Sequence, residues 1–338
     1  MPRALLVFTI LFLFTACTDK SSKAAIKFQG STMGTQYHIV LIATNNQYTK
    51  DDNLKGAIDD LLLELNQQMS TYIATSEISL FNLYKQKNWF PVSSDFARVV
   101  LAAQNVSSQS HGAFDITVAP LIDLWGFGAK TQLTVPTEQQ INKALENTGY
   151  QQIEVRVSPP ALRKLNPNLR IDLSAIAKGF AVDKISEYLN KNKYSNYLVE
   201  IGGEIRNRGL NQEGKPWKIG IETPEKNASK INQTLLTSNL ALATSGDYRN
   251  YFMKNGVRFS HTINPITGKP ITHKLASVTV LHKTTMMADA YATALMVLGE
   301  KKGKDFAKTQ NIKINMVIRN NDSGFNVWKN FDETKLVH

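Results

Sequence analysis

An apolar helical pattern runs from about Met286 to Leu298 and carries Asp289 and Thr293. Residues four apart on a helix share one face, one turn above the other. A carboxylate and a hydroxyl therefore stand together on an otherwise small, apolar helix. Such a hard-oxygen pair suits Mg²⁺; the alternative is a solvated Asp and a Thr bonded back to its own helix. Around this segment, strands and helices do not alternate regularly. That argues for an α+β fold, with mixed or antiparallel sheets and packed helices, rather than a doubly wound sheet.

Local pattern places the other elements. Gln36 to Thr44 alternates as a strand, and Asn53 to Met69 has helical spacing of Leu and Ile. Ser94 to Gln109 reads as a helix with Asp95 in its first turn, and Thr137 to Asn147 as a short one ended by Gly149. Tyr150 to Val157 and Leu169 to Leu173 read as strands, and Ser174 starts a helix that runs to about Lys191. Tyr197 to Ile201, Ile205 to Arg208, Trp217 to Glu222, Gln233 to Leu236 and Leu240 to Thr244 suggest an antiparallel meander. Ser277 to His282 is a strand feeding the Asp289 helix, and Ile312 to Arg319 with Gly324 to Lys329 makes a closing hairpin.

The N-terminus bears on location. Arg3 precedes an apolar run, Ala4 to Phe14, too short for a stable membrane span, and then Thr15-Ala16-Cys17. Cys17 is the only cysteine in the 338 residues and falls at the cleavage position. This matches the bacterial lipoprotein box, in which the thiol is acylated, although Phe14 stands where Leu is usual. An ordinary cleaved signal peptide is the alternative; both place the mature protein outside the cytoplasm. The expectation is a signal peptide over 1–16, a polar tether over 17–25 and one domain over 26–338. The chain would sit on the periplasmic side of the inner membrane, lipid-anchored at Cys17. With that cysteine acylated, no disulfide, thiolate catalyst or cysteine-zinc site remains. The formal charge of +11 allows nucleic acid, an anionic membrane surface or an anionic substrate as partner. The basic residues are spread out, without an arginine-rich block or interleaved aromatics, which argues against nucleic acid.

Five further segments have chemical interest. Gly30-Ser31-Thr32-Met33-Gly34-Thr35 is a Gly-bounded turn that lets backbone approach a ligand, or simply a turn before a strand. Ser110-His111-Gly112-Ala113-Phe114-Asp115, followed by Trp125-Gly126-Phe127-Gly128, suits a flat ring ligand or forms an aromatic-packed loop. In Asp172-Leu173-Ser174-Ala175-Ile176-Ala177-Lys178-Gly179 an acid ends a strand, Ser174 can cap a helix, and Lys178 lies in its first turns. A lysine there opposes the helix dipole, which hints at an anion nearby; an exposed lysine is the alternative. Glu200-Ile201-Gly202-Gly203-Glu204 pairs two glycines between acids. Last come Thr244-Ser245-Gly246-Asp247-Tyr248-Arg249 and Ser260-His261-Thr262-Ile263-Asn264-Pro265-Ile266-Thr267-Gly268. His261 is the best general-base candidate by type. The other histidines lack ligand spacing, so zinc is not expected. No Walker A loop, G-x-G-x-x-G fingerprint, G-x-S-x-G elbow or H-E-x-x-H motif is present. What remains fits a phosphate-bearing ligand with a ring system, handled with Mg²⁺.

In this order, from about Phe28 to Lys329, these segments resemble the ApbE family of FAD:protein FMN transferases. The match rests on Met33-Gly34-Thr35, Gly112 to Asp115, Asp172 to Gly179, Gly202-Gly203, Ser245-Gly246, Ser260-His261 with Pro265 and Gly268, and Ala288-Asp289-Ala290 with Ala292-Thr293-Ala294. The resemblance implies that FAD is a substrate, that FMN goes onto a Thr or Ser hydroxyl of a target protein, and that AMP leaves. It implies an FAD site lined by Met33, Tyr72, Ala113, Phe114, Asp115, Asp172, Lys178 and Ile263. Mg²⁺ would be held by the Ala175 carbonyl, Asp289 and Thr293, with His261 near the reacting phosphate. Its implied targets are redox subunits of Na⁺-pumping quinone reductases or Rnf-type complexes. Two positions depart from the family pattern: Asn264 where many members have Asp, and Thr32 where an aromatic is common. Asn264 weakens any scheme in which an acid orients His261. The same pocket would serve FAD hydrolysis to FMN and AMP, and Tyr72 near the flavin could hinder water. A flavin-binding lipoprotein without catalysis is a third possibility.

Overall fold

Along one strand of the structure, side chains alternate between two apolar clusters. Ile39 and Leu41 belong to the first; Ile42 belongs to the second, with Val40 packed against it. A strand apolar on both faces needs cover on both. The computed structural model describes residues 23–44, 53–128, 133–224, 229–248, 250–321 and 324–336. Within it an eight-stranded antiparallel sheet follows chain order: β1 (Lys23–Thr32), β2 (Thr35–Thr44), β3 (Tyr197–Ile201), β4 (Glu204–Arg208), β5 (Ala241–Gly246), β6 (Leu275–His282), β7 (Lys313–Arg319) and β8 (Phe325–Lys329). Among the described residues, six α-helices are inserted between β2 and β3: α1 (Leu54–Met69), α2 (Glu77–Leu83), α3 (Ser94–Gln109), α4 (Ala119–Trp125), α5 (Glu138–Leu145) and α6 (Ala177–Lys191). α7 (Thr285–Thr309) joins β6 to β7. The first cluster lies between sheet and helices. A two-stranded ribbon, Trp217–Pro224 with Ser229–Thr237, covers the other face through Trp217, Ile219, Ile221 and Leu235.

α7 packs on α6, β5 and β6. Buried Ala288, Ala290, Ala292 and Ala294 keep that approach close. Where the two helices meet, a Cβ on Gly179 would lie 2.4 Å from the Thr285 carbonyl oxygen and 2.8 Å from Asp289 Cβ. Only a glycine lets Asp289 reach the start of α6. The first amides of α7 have no side-chain cap from Thr284. Buried Asp183 of α6 supplies one: its Oδ1 accepts from Thr285 N and its Oδ2 from Met286 N, each at 2.9 Å. Arg206 of β4 pairs with the same carboxylate at 2.5 Å.

Several sequence expectations change. The signal peptide and Cys17 lie outside the described residues, as does residue 249. Lys23–Ala25, expected as the end of the tether, open β1, because they pair with Thr44, Ala43 and Ile42 and Ala25 packs on the second cluster. Leu169 to Leu173 is not a strand. The Asn82 amide bonds both the carbonyl and the N–H of Ile171, and Asp172 N donates to the Ile116 carbonyl, so no ladder partner is needed. Ser174 is not the cap of α6; it sits in a turn one step earlier, and the helix begins at Ala177. The expected meander is divided: β3, β4 and β5 join the main sheet, and the strands between β4 and β5 form the separate ribbon. The Trp125 region holds α4 rather than a loop alone.

Gly179→Ala should lower unfolding free energy by about 1–3 kcal/mol, since the added methyl must push α7 away. Urea melts of the two proteins check this; equal midpoints would mean the helices can separate without loss.

Candidate active site

The turn leading into α6 is built by Asp172, whose Oδ1 accepts from Ser174 N at 2.7 Å. The Leu173 carbonyl then accepts from Ile176 N and Ala177 N at 3.0 and 2.8 Å. This geometry places Lys178 in the first helical turn, with Nζ donating back to the Ser174 carbonyl at 3.3 Å. The ammonium also lies 3.3 Å from Glu204 Oε1 and 4.0 Å from Asp289 Oδ2. Asp289 Oδ2 accepts from Gly179 N at 3.0 Å, and its Oδ1 carries no protein hydrogen bond among the described residues. Two buried carboxylates thus face one lysine. Burial pushes both acids upward, Glu204 to about 8, against the pull of Lys178. Burial disfavours the ammonium, but Asp289 and Glu204 outweigh it and hold Lys178 above its ordinary value.

His261 follows directly on the hairpin Tyr251–Lys254/Val257–Ser260. Its Nδ1 meets the Asn250 carbonyl at 2.9 Å. A carbonyl only accepts, so Nδ1 carries the hydrogen and Nε2 keeps its lone pair. Burial lowers the imidazole below its usual 6.5; the Asn250 bond and Asp247 oppose this, and the Lys178 and Arg258 charges add to it. The ring is therefore neutral at neutral pH, within electrostatic reach of Lys178. Buried Asp247 fixes this hairpin: Arg258 pairs with its Oδ2 at 2.7 Å, and Arg319 of β7 with its Oδ1 at 2.5 Å. Asn264 does not orient His261. Its Oδ1 accepts from Ile266 N at 2.9 Å and so shapes the following turn.

Met33 sits at the β1–β2 turn with φ 49°, beside Gly34 at 73°. This turn, Ser31 to Gln36, borders a shallow, wide-open depression on the surface. It adjoins the Gly202-Gly203 turn, where Gly202 N donates to the Gln36 carbonyl at 3.2 Å, and Glu204 follows at once. Thr32, the other departure from the family pattern, is buried and accepts from Asn66 Nδ2 at 2.9 Å. Ala113 and Phe114 are buried. Asp115 Oδ1 accepts from Thr117 N and Oγ1 and its Oδ2 from Tyr150 N, so this carboxylate holds its own loop. Burial still raises it above the ordinary carboxylate value. Ile263 lies in an apolar cluster with Leu121, Trp125 and Ile141. Trp125 and Phe127 pack near Phe259, Phe252 and His261, so they line the fold rather than wait for a ring. Tyr72, in the turn after α1, is 75% exposed. The structure thus brings Asp172, Lys178, Asp289 and His261 into one electrostatic neighbourhood, with Ala175 in the adjoining turn and Thr293 one turn along α7.

Among the described residues no three His, Cys, Asp or Glu side chains cluster as a metal site. A cation here would draw on mixed oxygens. Asp289 with a free Oδ1, the partly buried Thr293 hydroxyl and a backbone carbonyl make a hard set that fits Mg²⁺. Glu204 was the residue that sequence reading left without a role. Its signal was the double glycine between acids, which marks a tight turn but does not say which acid points inward. Asn250 was missed altogether, since it acts through its backbone.

The family model described as "ApbE family" matches residues 33–318, and the chain belongs to that family. The FAD:protein FMN transferase of Vibrio cholerae is 41% identical over 323 residues, covering 95% of each chain. That of Haemophilus influenzae is 40% identical over 333 residues, covering 96% of each. The solved flavin transferase ApbE from Vibrio cholerae aligns with TM-score 0.85 at 40% identity, over 93% of this chain and 99% of that one. The apo form of Pseudomonas stutzeri flavinyl transferase ApbE gives 0.84 at 36% identity, over 93% and 97%. The α+β architecture is shared with these structures.

Burial lowers His273 and His282 as well as His261. A histidine lowered in the folded state binds fewer protons there than when unfolded, so stability is full above about pH 6.5 and falls as pH drops below it. The raised acids Glu204, Asp289 and Asp115 act in the opposite sense as pH falls, so the histidine share is read by difference. From pH 7 to pH 5 the melting temperature of His261→Gln should fall less, or rise more, than that of the unaltered protein. Identical pH dependence of the two proteins would contradict the burial of the His261 ring.

Proposed function

We propose that this chain is an FAD:protein FMN transferase with His261 Nε2 as its general base and Lys178 at the phosphate end of the flavin nucleotide. It is an enzyme of the transferase class, as its family is. The observation that supports the chemistry is the neutral His261, its Nδ1 held by a carbonyl, beside a lysine that shares two buried acids.

A hydroxyl is a poor nucleophile at neutral pH and needs a base within hydrogen-bond reach. The target Thr or Ser oxygen attacks the phosphorus on the riboflavin side of the FAD pyrophosphate. Its proton passes to His261 Nε2. The bond from that phosphorus to the bridging oxygen breaks, the oxygen leaves with AMP, and FMN stays on the target as a phosphoester. Asp289, Thr293 and the Ala175 carbonyl would hold Mg²⁺, which supplies neutralisation of charge on the pyrophosphate oxygens when bound. Lys178 adds a donor to the phosphates. Met33, Tyr72, Ala113, Phe114, Asp115, Asp172 and Ile263 would surround the rest of FAD. The acceptors would be redox subunits of Na⁺-pumping quinone reductases or Rnf-type complexes. A lipid on Cys17 would keep the enzyme beside them, on the periplasmic side of the inner membrane.

Mass spectrometry after mixing the signal-free protein with FAD, Mg²⁺ and such a subunit tests this. The expected result is a gain equal to FMN less one water on a target Thr or Ser, absent with Asp289→Ala. Free FMN and AMP without adduct would mean hydrolysis, and intact retained FAD would mean binding alone. His261→Ala should lower the transfer rate by about a hundredfold or more. In the unaltered enzyme the rate should fall at acid pH with a midpoint below 6.5, the direction set by burial. Near-normal transfer by His261→Ala would remove the histidine from the mechanism.

A further inference from the structure

We propose that Glu204 is a positioning residue: it anchors the Lys178 ammonium from the sheet side and so keeps it off Asp289, leaving that carboxylate open to a divalent cation. This rests on the reading of Asp289 as a Mg²⁺ ligand.

Glu204 opens β4 directly after the Gly202-Gly203 turn, on the strand against which α6 packs. Its Oε1 is 3.3 Å from Lys178 Nζ, nearer than Asp289 at 4.0 Å. The residue is only 3% exposed, and Oε2 has no hydrogen-bond partner among the described residues. A buried carboxyl with an oxygen left unsatisfied lowers stability. An apolar side chain of similar volume would serve the fold as well or better. Lys178 is the charged partner that Glu204 has, so the carboxyl is there for the lysine.

An ammonium offers three donors. Ser174 O and Glu204 Oε1 accept two of them. Remove Glu204, and Asp289 is the nearest acid left to a long, flexible side chain. Lys178 would then close on Asp289, where Gly179 N already engages Oδ2. An ion pair on that carboxylate competes with a cation for the same oxygens. Glu204 therefore acts through Lys178 and need not touch substrate.

The test is binding of Mn²⁺ alone, as a probe of the Mg²⁺ site, read from loss of the free-ion EPR signal on the folded signal-free protein. Glu204→Met, which removes the acceptor, should weaken binding about tenfold, with a melting temperature equal to or above that of the unaltered protein. Glu204→Gln keeps an oxygen for Lys178 and should bind close to normally. Both variants change charge equally, so the difference between them isolates the anchor from simple electrostatics. In a Lys178→Met background, Glu204→Met should cause no further loss. Equal weakening by Met and Gln, or weakening by neither, would overturn the proposal. So would a lowered melting temperature for Glu204→Met, which would show a structural residue. If Asp289→Asn leaves Mn²⁺ binding intact, the metal reading itself fails, and the inference falls with it.

Discussion

The site hangs on the contact between the starts of α6 and α7. Gly179 has no side chain, so Asp289 and the Thr285 carbonyl can reach the α6 backbone. One turn further along α6, Asp183 takes the first amides of α7 and is itself held by Arg206 of β4. The two helices and the sheet are thereby locked in one register. Asp289 and Lys178 come from segments 111 residues apart, yet their separation is fixed by this joint. The Asp289 carboxylate, the Gly179 amide and the Lys178 ammonium are thereby held in one fixed arrangement.

The joint also concentrates charge where folding would avoid it. Glu204 and Asp289 are almost wholly buried around one lysine. By contrast, Asp183 meets an arginine and two backbone amides, and Asp247 meets two arginines, so both read as structural. The difference in satisfaction separates acids that hold the fold from acids held by it. Proteins keep the second kind where chemistry needs them and accept lower stability there.

Much of the fold was legible in the sequence where local pattern and final environment agree. Ser94–Gln109 and Tyr197–Ile201 were placed to the residue, since capping by Ser93 and strict alternation act within a few positions. Leu169 to Leu173 was misread because an Asn82 side chain far away in sequence supplies its hydrogen bonds. The Gly- and aromatic-rich stretch around Trp125 was legible as a place for rings but not as to whose: Phe252 and Phe259 fill it. For the site, residue types pointed to Asp289, Lys178 and His261. The partners Glu204 and Asn250 needed coordinates, since one depends on which way a strand faces and the other on a carbonyl.

The Asn264 departure shows why that last partner matters. An acid beside His261 would orient the ring but would also raise its proton affinity, favouring imidazolium. A backbone carbonyl orients it equally well and adds no charge. Asn250 supplies that carbonyl, and Asp247, though it pulls the ring upward, is itself neutralised by Arg258 and Arg319. With Lys178 adding positive potential, the balance leaves a neutral ring with Nε2 open. Asn264 is then free to build the turn that carries Ile266 and Gly268, and Gly268 gives its carbonyl to Trp125 Nε1 at 2.8 Å. The position serves loop shape, and the histidine keeps the protonation state a base requires.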